Sequence, residues 1–105
     1  MTGISKADWK LFQERIGGWQ EAYMARLNEA YIELLAGDGP ASEKFWQLEE
    51  RIKRDRNLPG VRLELRKSEV DLDLARLLKD GVIAESDLEG FSESLRERVL
   101  QLARL

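Results

Sequence analysis

The candidates for joint action among carboxylates four residues apart are Glu29/Glu33, Glu69/Asp73 and Glu93/Glu97. On an α-helix that spacing puts both acids on one face. Such a pair can share a divalent cation of the Mg²⁺ type, which takes oxygen ligands. It would suit a helical pyrophosphohydrolase that holds the metal against a nucleotide. The Glu-x-x-Glu spacing typical of those enzymes is not clearly present. On a solvated helix face, paired acids only repel one another mildly. Histidine and cysteine are both absent from the 105 residues. Their absence removes the commonest general base and the Glu-x-x-His pairs of a di-iron bundle. It also removes thiolate nucleophiles, thiolate metal sites and disulfides. Only carboxylates, lysine, tyrosine and serine remain for catalysis, so the expectation is no enzyme, no cofactor and no metal.

A second constellation is cationic. The net charge of −3 hides a basic stretch. Residues 51–67 hold seven cations (Arg51, Lys53, Arg54, Arg56, Arg62, Arg66 and Lys67) against two acids, while 1–50 and 68–105 each hold five cations against nine acids. If these residues gather at one corner, they make a patch able to grip phosphates. An acidic chain is an unusual nucleic-acid binder, and the same cations can pair with acids in place or on a neighbour. The aromatics form a third set. Trp9, Trp19, Tyr23, Tyr31, Phe45 and Trp46 could line a ligand cavity, but bulky apolar residues at helical spacing are more often core. Trp46 and Tyr31 stand farthest from the apolar stripes, and such residues are favoured at protein interfaces.

The elements that must position these groups are helical. Trp9, Phe12, Ile16, Trp19, Tyr23, Leu27, Ala30 and Leu34 recur at steps of three and four, one face of a long helix. Ser5 is its N-cap, with Asp8 in the first turn. Gly37 fits the C′ position, where positive φ is tolerated, and Asp38-Gly39-Pro40 completes the stop. Gly17-Gly18 in the middle allows a kink, a break into two helices, or close approach of another backbone. Gly17 falls opposite the stripe, so a partner there would come from outside.

A second helix is expected from Glu43 to Arg56, capped by Ser42, with Phe45, Leu48 and Ile52 as its buried stripe and Trp46 on the flank. Glu49–Lys53 and Glu50–Arg54 are acid-first i,i+4 pairs. Pro59 can open a third helix that runs through Val70, Leu74, Leu77 and Leu78 to Gly81. The alternation Val61-Arg62-Leu63-Glu64-Leu65 also fits a strand, but nothing else in the chain would pair with one. Ser86-Asp87-Leu88-Glu89 has the form of a capping box, opening a last helix whose stripe is Leu88, Phe91, Leu95, Val99 and Leu102.

The fold expected is all-α: a single domain over 1–105, an antiparallel bundle of about four helices with a long first helix that overhangs its partners. An overhanging apolar stripe invites a second copy. No apolar run approaches the ~20 residues that cross a bilayer, and Met-Thr-Gly-Ile-Ser-Lys has no signal-peptide core. A cytoplasmic location without membrane contact follows as the expectation.

Trp19-Gln20-Glu21-Ala22-Tyr23, Lys44-Phe45-Trp46-Gln47-Leu48-Glu49 and Pro59-Gly60-Val61 together resemble a family of short uncharacterised bacterial proteins over most of the chain. The resemblance implies a small cytoplasmic bacterial protein and carries over no activity and no site. The residues themselves point to action by protein–protein contact, through self-association as a homodimer or through a regulatory partner. Trp46, Arg51, Arg54 and Arg56 are the candidate contact residues, with Gly17 as an outside contact. The alternatives are a nucleic-acid-associated regulator using 51–67 and, less favoured, a carboxylate/Mg²⁺ hydrolase.

Overall fold

A computed structural model of the chain describes residues 3–105. Met1 and Thr2, which begin the stretch read for a leader, lie outside the described residues. Four α-helices form: α1 (Lys6–Ala36), α2 (Ala41–Asp55), α3 (Val70–Lys79) and α4 (Glu93–Ala103), with 3₁₀ turns at Lys67–Glu69 and Glu85–Leu88. The described residues contain no strand, and no helix is long and apolar enough to cross a membrane.

α1 starts as its sequence dictates. Ser5 is in the extended region and its hydroxyl accepts the Asp8 N–H at 3.1 Å. The helix runs 31 residues without interruption through Gly17-Gly18, so no break occurs there. At about 1.5 Å per residue it is roughly 46 Å long, most of the molecule's 56 Å length. Its stop differs from expectation. Gly37 keeps a negative φ of −69°, and the left-handed conformation falls to Gly39 at φ 119°.

The four helices do not share one core. Its buried apolar residues are Phe12 and Ile16 of α1, Val70, Leu74, Ala75 and Leu77 of α3, Leu95 and Val99 of α4, and Val82, Ile83, Leu88 and Phe91 between those two helices. Trp9, Trp19, Tyr23 and Leu63 pack partly buried against it. α2 contributes nothing. The molecule is therefore a head, built on the first half of α1, and an α1–α2 hairpin that projects from it.

Within the head, Asp8 ties α1 to α4. The Ser92 N–H and hydroxyl donate to its carboxylate at 2.9 and 2.6 Å. Arg15 donates to the carbonyls of Asp87 and Glu89 and lies over the Phe91 ring. Arg26 donates to the Gly81 carbonyl at 3.0 Å. Arg98 reaches Asp71 in the first turn of α3, and Lys79 in its last turn donates to the Leu105 carbonyl. These two contacts climb both helices together, so α3 and α4 advance in the same sense and residues 80–92 carry the chain back. The up-and-down arrangement expected for all four helices is not found. Only α1 and α2 form an antiparallel hairpin, with Lys44 on the Leu35 carbonyl, Tyr31 on Asp55 and Gln20 on the Pro59 carbonyl.

Three local expectations also fail. α2 begins at Ala41 with Pro40 as N-cap, not at Ser42. Residues 62–66 are neither helix nor strand but an irregular run, whose Leu63 packs against the core. The sequence 86–89 opens no helix. Asp87 reaches back to the Ala84 N–H at 2.8 Å and closes a single 3₁₀ turn. Gly90 then takes φ 93°, which a helix cannot hold. α4 starts three residues later, on Ser92, whose hydroxyl faces the Leu95 N–H.

Candidate docking face on the hairpin

The distal half of α1 and all of α2 are amphipathic, yet the elements that would cover them are absent. Ile32, Leu35, Phe45, Trp46 and Ile52 are five of the eight large apolar side chains that stand exposed among the described residues. The Phe45 and Trp46 rings meet edge to face at 5.0 Å, a pair that shields its own edges while leaving both residues about 60% exposed (62% and 60%). Phe45, Leu48 and Ile52 do form one stripe, but it is not buried. Leu48 is half-covered and the other two face out.

Beside Ile52 the two helices part to leave a groove of about 280 Å³ lined by Met24, Leu27, Asn28, Tyr31, Ile52 and Arg56, with Asp55 and Val61 closing it. Its floor is fixed by chemistry that local sequence does not announce. The Tyr31 hydroxyl donates to Asp55 Oδ2 at 2.6 Å, and Arg54 Nε donates to Oδ1 at 3.1 Å. Burial alone would raise the Asp55 carboxyl. The Tyr31 and Arg54 hydrogen bonds, with the Arg54 and Arg51 charges, outweigh it and hold the group below the usual carboxylate range. The same environment, burial first and the Asp55 bond second, pushes the Tyr31 phenol up to about 12. Both groups therefore hold the charge states this bond needs throughout the neutral range. At the head end the loop is pinned where Gly60 lies against the Tyr23 ring, so closely that a Cβ would overlap it.

The predicted contact residues fall on different surfaces. Arg51 and Arg54 line a shallow depression of about 430 Å³ with Gln47 and Glu50 on one side of α2. Arg56 belongs to the groove, and Trp46 to the aromatic pair near the hairpin tip. Gly17 sits on α1 at the level of the head, and beyond its own stretch of helix nothing lies within 4 Å of where its Cβ would be. Of the basic stretch, Lys53 pairs with Glu49 at 3.2 Å, Arg54 with Asp55 and Arg66 with Glu64 at 2.9 Å. The expected Glu50–Arg54 pair is replaced by the one to Asp55. Sequence reasoning missed Phe45 and Ile52 as surface residues, and it missed Ile32, Leu35, Met24 and Asn28 altogether. Leu35 and Ile32 lie off the main α1 stripe, and that surplus of apolar residues was the available signal.

The carboxylate pairs do not converge. No group of three acids among the described residues could hold a metal ion. Glu29, Glu33, Glu93 and Glu97 are exposed. Asp73 alone is unusual: it is buried in α3 with Oδ2 unpartnered and Arg76 at 3.7 Å from Oδ1. Burial pushes its carboxyl up to about 6, with Arg76 opposing and Glu69 and Asp71 adding to the rise. Asp73 borders an open depression of about 230 Å³ with Leu63, Glu64, Arg66, Glu69 and Arg76, though only 2% of its surface is exposed. No protein-family model, curated protein or solved structure matches the chain.

Proposed function

We propose that the chain acts by protein–protein contact, not catalysis, and that the contact surface is the open side of the α1–α2 hairpin. The supporting observation is the division of apolar residues. The core is confined to the head, whereas the hairpin keeps Ile32, Leu35, Phe45, Trp46 and Ile52 in water. Exposed apolar surface concentrated on one element marks a binding face. Aromatic anchors beside a groove, rimmed by charge, are the composition such faces use. A helical partner suits it, because a groove between two helices takes the ridge of a third.

The test is a photo-crosslinking amino acid at position 45 or 52 in living cells, with position 17 for comparison. Protein adducts at 45 and 52 support the reading, and their mass separates self-association from a regulatory partner. No adduct at either hairpin position overturns it.

A further inference from the structure

We infer that the occupant of the hairpin face is a second copy of the chain, laid antiparallel across the first, an inference that rests on the contact reading above. Two independent features of the hairpin point to it.

The first is the placement of knob and hole on one stripe. Phe45 and Ile52 are seven residues apart, so they share a face of α2 about 10 Å apart along its axis. Phe45, braced by Trp46, protrudes near the tip. Ile52 borders the groove whose other wall is Met24, Leu27, Asn28 and Tyr31. A two-fold interface requires that residue i of one copy meet residue j of the other while j meets i. One protruding group and one receptor, separated along a single helix, meet that requirement when the copies run in opposite directions. Phe45 of each copy enters the groove beside Ile52 of the other, and the axis passes beside Leu48 and Glu49. Each Glu49 arrives there already paired with its own Lys53 at 3.2 Å. The two hairpins together make the antiparallel four-helix bundle that one chain does not form alone.

The second feature is charge. Around the tip, residues 33–44 carry three acids (Glu33, Asp38, Glu43) and one cation. Around the base, residues 51–62 carry five cations (Arg51, Lys53, Arg54, Arg56, Arg62) and one acid, and the facing turns of α1, residues 20–31, add Arg26 against Glu21 and Glu29, so the base stays cationic. The exposed members of these sets lie at opposite ends of one hairpin. Antiparallel copies set acidic tip against basic base twice over. Parallel copies would set like against like, which costs affinity. The face is about 22 Å long and two helices wide, a small interface by the standard of stable complexes. The dimer should therefore dissociate on dilution through the micromolar range.

The chain has no cysteine, so thiol crosslinking starts from a silent background. The test uses the full chain. Its mass is measured by sedimentation equilibrium from about 5 to about 500 μM, and single-cysteine variants are joined with a short bis-maleimide. We expect a monomer–dimer equilibrium, abolished by Phe45→Glu and by Ile52→Glu with the head's melting transition unmoved. Glu49→Cys, beside the axis, should crosslink to itself. Ser42→Cys and Arg56→Cys should crosslink when mixed, and neither should do so alone, because like positions lie roughly 20 Å apart across the axis. A single-copy mass throughout the range overturns the inference. If hairpin adducts to a different protein are found in cells, the contact reading stands without it. A dimer in which Ser42→Cys crosslinks to itself overturns the antiparallel arrangement.

Discussion

One helix serves two halves of this molecule on different terms. Over its first five turns, the apolar positions of α1 meet α3, α4 and the connection between them, and Phe12 is sealed completely (0% exposed). Over its last turns the same spacing meets only α2, so Leu27, Ala30 and Leu34 are half-covered and Ile32 beside the stripe is left 64% exposed. Periodicity reports that a face exists. What covers the face depends on how many elements the rest of the chain can supply. Here α3 and α4 are 10 and 11 residues long, about 15–17 Å each, too short to follow a helix of roughly 46 Å to its end.

The contrast can be broken most forcefully from the head. Leu74→Ala or Phe12→Ala removes a fully buried side chain and should cost about 3–5 kcal/mol. Phe45→Ala and Ile52→Ala, at concentrations where the chain is monomeric, should each cost less than about 1 kcal/mol. Chemical denaturation of the four variants checks the difference, and equal losses would mean that head and hairpin share one core.

Asp8→Ala leaves the Ser92 N–H and hydroxyl without their acceptor and should cost about 2–3 kcal/mol, read by the same titration. Asp73 works in the opposite direction. Its folded carboxyl is raised to about 6, above the unfolded value of about 3.9. The folded state therefore holds the proton longer. The contribution of Asp73 to stability is greatest below about pH 4, falls as pH rises through the interval up to about 6, and stays lower above it. Asp73→Asn should remove that slope and stabilise the chain by of order 2 kcal/mol at pH 7, as melting temperature against pH would show. The smallest expected effect lies in the hairpin. Tyr31→Phe deletes the donor to Asp55 and should cost about 1 kcal/mol, seen as faster amide exchange in α2 with the head unaffected.

Much of the head was legible in the sequence. Ser5, Asp8 and the stripe from Trp9 to Tyr23 define α1, and Leu74, Leu77, Leu95 and Val99 fall in the core where their spacing places them. The start of α4 was not legible, because two capping signals compete within seven residues. Ser86-Asp87-Leu88-Glu89 has the stronger form, yet Gly90 in the left-handed region ends the turn and hands the role to Ser92. The helix expected to open at Pro59 does not form: α3 begins only at Val70, and the alternation at 61–65, set aside for want of a partner strand, was the signal against a helix there. In the candidate face, Trp46 was legible as an uncommitted aromatic. Phe45 and Ile52 were not, since an amphipathic stripe has the same pattern whether its cover lies in the chain or outside it. The Tyr31–Asp55 bond joins residues 24 apart and depends on the hairpin register, which no local pattern encodes.

The most direct test of the account is native-state amide exchange followed by mass spectrometry at low and at high micromolar concentration. Amides of α1 up to Tyr23, of α3 and of α4 should be strongly protected at both. Those of α2 and of the distal turns of α1 should exchange faster in the dilute sample and slow markedly in the concentrated one. Protection that is uniform along the chain and indifferent to concentration would contradict the division into a self-sufficient head and a hairpin that awaits its partner.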